Sequence, residues 1–374
     1  MFYGPAGFDS ASGGSVSFVG LRENDLAPDF AERGDGAMPQ LLSRREVLMK
    51  GSSAALLGAA SLRPALAAGA TPVKIANASG ALNQTMAALI RSQKFLESFG
   101  LDPDMMMVGD GTKILAAVIS GSADASMASG FGQVFPAVEH GAKLKILGGG
   151  ALVPTIALYT GKPYVNSLKD LEGRTVATGS VGALVYQLVV VLLRKYNVDV
   201  SKVRFVNIGS SADAFRAVSQ GTVDAGPAAA ALIPDAANYH VRPIPHGNMT
   251  TELPEYTYQG AWASDQTIAA RRDVLVRTLA AYARLYRFVQ TPAAREPFLA
   301  ARRSMFPTAP EQDHVNEWNY IQQYKPFAVN LALTPDRLRI IQELNISSNV
   351  QKAVLPFEQV ADMSLAADAL KLLH

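Results

Sequence analysis

Residues 113–128 and 213–228 carry the same pattern twice. Lys-Ile-Leu-Ala-Ala-Val-Ile-Ser-Gly-Ser-Ala-Asp-Ala-Ser-Met-Ala is echoed by Asp-Ala-Phe-Arg-Ala-Val-Ser-Gln-Gly-Thr-Val-Asp-Ala-Gly-Pro-Ala. Ala117, Val118, Gly121, Asp124, Ala125 and Ala128 correspond to Ala217, Val218, Gly221, Asp224, Ala225 and Ala228. Each copy reads as a helix closed by a glycine where left-handed backbone angles are needed. A turn then leads to Asp-Ala at the start of a short buried strand. The two copies are too far apart for a solenoid repeat. They imply two similar α/β units, each placing one helix-turn-strand in its own sheet.

The rest of the chain fits that plan. Apolar runs and 3.6-residue periodicity predict strands at Val73–Ala78, Met105–Val108, Leu144–Leu147, Thr155–Tyr159, Thr175–Thr178, Val203–Ile208 and Tyr258–Ala263. Helices are expected over Leu82–Ile90, Phe135–His140 and Val181–Tyr196, with a helix-start box at Ser167–Asp170. Alternation of strands and helices implies parallel sheets covered on both faces. From about Asp265 the chain reads as mainly helical: Arg272–Val289, Ala293–Ser304, Glu311–Tyr324, and Pro335–Leu344 with Thr334 as N-cap. Met105–Met107 reads as core strand, and Arg271-Arg272 and Arg302-Arg303 as solvated helix faces.

Composition narrows the function. Lys and Arg number 34 against 32 Asp and Glu, a formal net charge of +2 with 18% charged residues, which argues against nucleic-acid binding and against disorder. With 49% hydrophobic residues the 374-residue chain can build packed cores, about two domains by length. There is no Cys, so disulfides, thiolate nucleophiles, Fe–S clusters and Cys-ligated zinc are excluded. The five His (His140, His240, His246, His314, His374) include no pair three or four apart that could clasp a metal from one helix. No metal, cofactor or catalytic residue is expected.

Residues 43–50, Ser-Arg-Arg-Glu-Val-Leu-Met-Lys, precede the uncharged run Gly51–Leu62 and the small-x-small sequence Ala65-Leu66-Ala67. The run is too short to span a bilayer, which needs about 20 apolar residues. The order of charge, apolar run and cleavage box reads as a signal peptide over 38–67, cut after Ala67. Arg44-Arg45 resembles a twin-arginine address for export. Residues 1–37 are expected to be either a disordered leader or a mis-assigned start ahead of Met38.

In open α/β sheets, ligands bind beyond the carboxyl ends of strands, where helix N-termini present free N–H groups. Small, hydroxyl-rich connections fall at such places: Ser79-Gly80-Ala81 with Asn83, Gly109–Thr112, Ser126–Gly132, Thr178–Gly182 and Ser210-Ser211. Turn chemistry alone also selects Gly and Ser there. Asp110 reads as a helix N-cap. Trp262 stands at a strand end, facing either a cleft or the core. None of these loops is a Walker loop, a Gly-x-Gly-x-x-Gly fingerprint or a Gly-x-Ser-x-Gly elbow.

An exported, two-unit α/β chain with Ser167-Leu-Lys-Asp-Leu-Glu-Gly173 before Arg174-Thr-Val-Ala-Thr-Gly-Ser180, and with two Gly-x-x-Asp-Ala copies, resembles the substrate-binding proteins of nitrate, sulfonate and taurine ABC importers. That class is related to the NMT1/THI5-like pyrimidine-precursor proteins. The resemblance spans about residues 72–345. It implies a type II periplasmic binding protein: two α/β lobes, a hinge, and a Venus-flytrap closure over a small solute, expected to be a sulfonate-, nitrate- or carboxylate-like anion. Lobe I would comprise 72–160 plus 251–374 and lobe II 161–250, with crossings near Thr160–Pro163 and Asn248–Gln259. Ligand contacts are implied for Ser79, Asn83, Thr112, Ser129, Thr178, Ser180 and residues 226–230, Pro227 among them; Gly179 and Trp262 are candidates from their own positions. Ala228-Ala229-Ala230 would widen the cleft. The implied protein is a periplasmic monomer that docks on an inner-membrane ABC permease. Two alternatives remain open: an enzyme of the pyrimidine-precursor type, whose His/Cys-rich motif this chain cannot supply, and a receptor that feeds a membrane sensor.

Overall fold

A computed structural model describes residues 69–373; the signal-peptide and start-site readings fall on residues 1–67, outside the described residues. The first sheet is built from β1 (Thr71–Ala78), β2 (Leu101–Val108), β3 (Ala125–Ser129) and β4 (Leu144–Gly149), connected by helices α1 (Ala81–Ser92), α2 (Gly111–Ile119) and α3 (Val134–Glu139). The chain then forms β5 (Ile156–Thr160), β6 (Thr175–Thr178), α4 (Leu184–Lys195), β7 (Arg204–Asn207), α5 (Ser211–Ser219), β8 (Gly226–Ala229), β9 (Arg242–Asn248) and the single turn α6 (Met249–Glu252). It returns through β10 (Gly260–Ser264) to the helices α7 (Asp265–Val289), α8 (Arg295–Met305), α9 (Glu311–Tyr324), α10 (Pro335–Ser347), α11 (Phe357–Val360) and α12 (Ser364–Lys371).

Strand order in the first sheet is β2-β1-β3-β10-β4; the second half holds a β8-β5-β9 sheet and a β6-β7 pair. These are two α/β lobes. The expectation of wholly parallel sheets needs correction. β1 runs parallel to β2 and β3, and β6 to β7, but β10 is antiparallel to β3 and β4, and β5 to β8 and β9. The reason is the crossing between sheets: β10 enters the first sheet from the other lobe's side, not through a helical crossover, so its direction is reversed.

The repeated motif does the same job in each lobe. Gly121 (φ +75°) and Gly221 (φ +72°) end α2 and α5 in the left-handed region that favours glycine. Asp124 then accepts from the Lys74 N–H at 2.8 Å while its own N–H donates to the Lys74 carbonyl at 2.8 Å. Asp224 repeats this with Thr175 at 2.8 and 2.9 Å. Each aspartate therefore pins the end of its helix-turn to a neighbouring strand, at Lys74 in the middle of β1 and at Thr175, the first residue of β6. Asp124 also pairs with Arg271, at a break in α7, and Asp224 accepts from the Tyr164 hydroxyl at 2.6 Å.

The sheet change falls at Gly150–Thr155, upstream of the expected Thr160–Pro163, because β5 already pairs with β8 and β9. Gly161-Lys162-Pro163 is only the turn after β5, where Thr160 Oγ1 accepts from the Lys162 N–H at 3.0 Å. The outgoing and returning segments hold each other: Gly150 N–H donates to the Gln259 carbonyl at 2.9 Å, and the Tyr258 and Gln259 N–H groups both donate to Ala151 at 2.9 and 3.0 Å. A third segment closes the ladder, with Ala328 N–H on Gly150 at 2.8 Å and Leu152 N–H on Pro326 at 2.7 Å. A Cβ on Gly150 would lie 3.1 Å from the Gln259 carbonyl oxygen and the Tyr286 hydroxyl, so the strands there approach as closely as they can. The helix expected from Val181 begins at Leu184 instead, because Gly182 turns at φ +80°.

Asp124→Ala and Asp224→Ala should each destabilise the protein by about 2 kcal/mol, the range of a lost hydrogen bond to a charged group. Urea denaturation reads this directly, and near-wild-type midpoints would contradict the pinning role.

Candidate functional site

The carboxyl ends of β1, β3 and β6 and the starts of α1, α2, α4 and α5 meet in one cleft. Its first chamber, of about 60 Å³, is lined from the first lobe by Ser79, Asn83, Asp110, Ser129 and Gln133 and from the second by Gly179, Ser180, Leu184, Ser210 and Ser211. Its second, of about 140 Å³, is lined by Gly80–Asn83, Thr155, Ile156, Phe215, Ala228, Ala229, Leu232, Arg302 and Glu317. Gly80, Asn83, Ser211, Tyr258 and Gln259 line both, so the chambers adjoin.

Local sequence explains how each group is held. Asn77 accepts from the Met127 and Ala128 N–H groups at 2.9 Å each and donates to the Tyr282 hydroxyl at 2.9 Å, which locks β1 to β3 just below the cleft. Asn83 donates to the carbonyls of Ala78 (2.9 Å) and Ala128 (3.3 Å), tying the start of α1 to both strand ends. Neither α1 nor α4 has a side-chain cap or an acidic residue in its first turn, so their first N–H groups remain donors. The starts of α2 and α5 are different: Asp110 caps α2, and Ser210 with Asp213 forms a capping box on α5. Tyr258 is buried, its phenol pushed up to about 12 by burial against an opposing Thr155 hydrogen bond, so it stays a neutral phenol.

The lobes touch across the cleft. Ser180 Oγ donates to the Asp110 carboxylate and accepts from Asn207 Nδ2 at 2.9 Å. Burial pushes the Asp110 carboxyl up, but bonds from Ser180, Thr112 and Lys113 outweigh it and leave the group below its ordinary range. Gly130 and Gly132 lie against Leu184 and Gln187 of α4; a Cβ on Gly130 would sit 2.5 Å from Leu184 Cβ. Gln187 in turn bonds Asn345 of α10, which donates to the Gly132 carbonyl at 2.8 Å.

Of the residues singled out in the sequence, Ser79, Asn83, Ser129, Gly179 and Ser180 come together in the first chamber. Four lie outside the lining of both chambers. Thr112 spends its N–H and hydroxyl on Asp110 beside an exposed helix turn. Thr178 is buried and bonds the Gly179 carbonyl. Pro227 pairs in β8 opposite Leu158. Trp262 is fully buried, and its Nε1–H donates to Ser129 Oγ at 2.9 Å, orienting that hydroxyl from behind. Gln133, Tyr258, Gln259, Arg302 and Glu317 had no local signal. Arg302 in particular is 5% exposed, not on a solvated face as expected, while Arg303 pairs with Glu311 outside. Among the described residues no group of His, Cys, Asp and Glu could hold a metal ion, and no helix is long and apolar enough to cross a membrane.

A family model described as NMT1/THI5 like matches residues 85–293. The chain belongs to the NMT1/THI5-like family. No curated protein matches it. Among solved structures, it is similar to the alkanesulfonate-binding protein SsuA of Xanthomonas axonopodis pv. citri bound to MOPS (17% identity, TM-score 0.64, covering 80% of this chain and 97% of that one). It is also similar to the periplasmic aliphatic sulphonate binding protein SsuA of Escherichia coli (18%, 0.60, 78% and 92%). A third is the desulfurization enzyme DSZB (13%, 0.57, 81% and 100%). This NMT1/THI5-like chain thus has the periplasmic-binding-protein fold, shared by solute binders and an enzyme.

Two results should follow from the Asp110–Ser180 contact. Of the bonds that lower the Asp110 carboxyl, only the one from Ser180 crosses the cleft, since Thr112 and Lys113 lie in the same helix turn. That bond favours closure above the ordinary value of 3.8 and is lost as pH falls through the lowered value. The scattering radius should therefore hold from neutrality through the ordinary carboxylate range and grow only below it, and Asp110→Asn should abolish that acid step. Ser180→Ala should weaken closure by about 1 kcal/mol, one hydrogen bond; unchanged radii in both variants would contradict the contact.

Proposed function

We propose that this protein is the solute-capturing component of an ABC importer, which binds a small organic solute bearing an oxyanion, sulfonate or carboxylate, between its lobes and leaves it chemically unchanged. The observation that carries this reading is the cleft itself. Hydroxyls, amides and uncapped helix starts from both lobes line the first chamber, so filling it and joining the lobes are one event. The oxyanion is assigned to the start of α1, where free N–H groups and the helix dipole favour negative charge. Ser79, Asn83, Ser129 and Ser180 supply directional hydrogen bonds. Trp262 acts through Ser129, and Asp110, engaged by Ser180 and Thr112, acts in closure, not in proton transfer.

In this reading lobe I combines 72–160 with the C-terminal part and lobe II is 161–250, except that β5 travels with lobe II. The Arg44-Arg45 signal would deliver the chain to the periplasm, with cleavage near Ala67, and the closed monomer would dock on an inner-membrane permease. The sulfonate binders of like fold support the solute class and the location.

A thermal-shift screen against sulfonates and carboxylates tests this. A ligand at a hundred times its Kd stabilises the folded state by about 2.7 kcal/mol. Gly130→Val should leave the melting temperature of the free protein within a few degrees yet remove the ligand-induced rise, because its side chain would prop Leu184 away. Turnover of a bound solute, or retention of full affinity in Gly130→Val, would contradict capture by closure.

A further inference from the structure

The second chamber has features that capture of a small anion does not use. Arg302 of α8 and Glu317 of α9 form its polar end, at 5% and 1% exposure. Their contact, Arg302 Nη2 to Glu317 Oε2 at 3.3 Å, is too poorly aligned to be a hydrogen bond, and both Arg302 Nε and Glu317 Oε2 lack a partner. Arg302 is nonetheless held in place: Nη1 donates to Thr85 Oγ1 of α1 at 3.3 Å, and the guanidinium lies over the Phe306 ring at 5.1 Å. A buried guanidinium N–H without an acceptor is costly unless something occupies the space before it. Burial also drives the Glu317 carboxyl upward, toward a neutral form that could itself donate, with Arg302 opposing and Asp313 reinforcing the shift.

The opposite end of the cleft has the complementary need. In the first chamber Gln133 uses its Nε2 on the Gly130 carbonyl at 3.0 Å and leaves Oε1 buried without a donor. That end lacks cations in its lining, and the far end holds Arg302 beside the uncapped first turn of α1. Between them the second chamber's wall is apolar, formed by Ile156, Phe215, Ala228, Ala229 and Leu232.

Resting on the capture reading, we infer that the cleft is built for an elongated, two-ended solute: a hydrogen-bond-donating end at Gln133, an apolar middle, and an oxyanion end held by Arg302 and the start of α1. Arg302 is then a specificity-determining contact. A small inorganic anion such as nitrate would fill one end only and leave Gln133 unsatisfied. Ala228 and Ala229 contribute by being small, since larger side chains there would close the second chamber.

The test is calorimetry with linear ω-aminoalkanesulfonates and ω-aminocarboxylates of increasing length, set against alkanesulfonates, fatty carboxylates and alkylamines that carry one end only. Two-ended probes of an intermediate length should bind at least ten-fold tighter than either one-ended relative, and the sulfonate and carboxylate arms identify the oxyanion. Arg302→Met should erase the preference for an oxyanion end, and Ala229→Leu should exclude the long probes while sparing the shortest. Both variants are checked for wild-type circular dichroism; if Arg302→Met does not fold, Ala229→Leu and the probe series still decide. One-ended probes binding as tightly as two-ended ones, or long probes binding undiminished to Ala229→Leu, would overturn the inference while leaving capture intact. Binding of solutes from another class alone would do the same, whereas a protein that no solute stabilises would lose both.

Discussion

The ladder at Gly150–Leu152, Tyr258–Gln259 and Pro326–Ala328 is the constraint on which the remaining architecture rests. Backbone hydrogen bonds of 2.7–3.0 Å tie three chain segments side by side where the chain passes between sheets. A ladder of this kind resists stretching and shearing but permits bending about its own axis, because bending changes φ and ψ at a few residues without breaking bonds. Tyr258 and Gln259 belong both to the ladder and to the cleft lining. The position of the hinge and the position of the floor of the site are therefore fixed together.

From that axis the lobes extend as copies of one helix-turn-strand device, each secured by an aspartate that exchanges hydrogen bonds with a neighbouring strand. In the proposed reading, rigid lobes matter because the cleft is divided between them. If either sheet could shift, the hydroxyls at Ser79 and Ser129 on one side and Ser180 on the other would not meet in register, and ordering them would draw on binding energy. The C-terminal helices add a second tie. α8 packs on α1, α9 on the 230–239 segment of the other half, and the Arg302–Glu317 pair joins the two helices at the cleft's deep end.

Much of this was legible in the chain, for identifiable reasons. Gly121 and Gly221 need left-handed angles, and Asp-Ala after each turn opens a short strand, so the repeat declared two α/β units and located their strands. Helix boundaries set by caps, such as Thr334 before Pro335, were equally readable. Antiparallel pairing of β5 and β10 was not, because it depends on the direction in which a distant segment returns and leaves no local trace. β9 was also hidden, since Pro243 and Pro245 disguise a strand. The site divided in the same way. Loop hydroxyls at strand ends announced themselves, whereas Gln133, Gln259 and Arg302 reach the cleft only through packing; a lone arginine beside Arg303 on an amphipathic helix looks solvated until α1 and α9 bury it.

The central claim is that the lobes swing about the ladder and close on a guest, and inter-lobe distance measures it most directly. The absence of Cys allows a pair of spin labels at Lys113→Cys and Val181→Cys, exposed positions on opposite rims of the cleft. The account predicts a broad distance distribution in the free protein that narrows and shortens when a stabilising solute is added. The same distribution with and without a solute shown by calorimetry to be bound would contradict it.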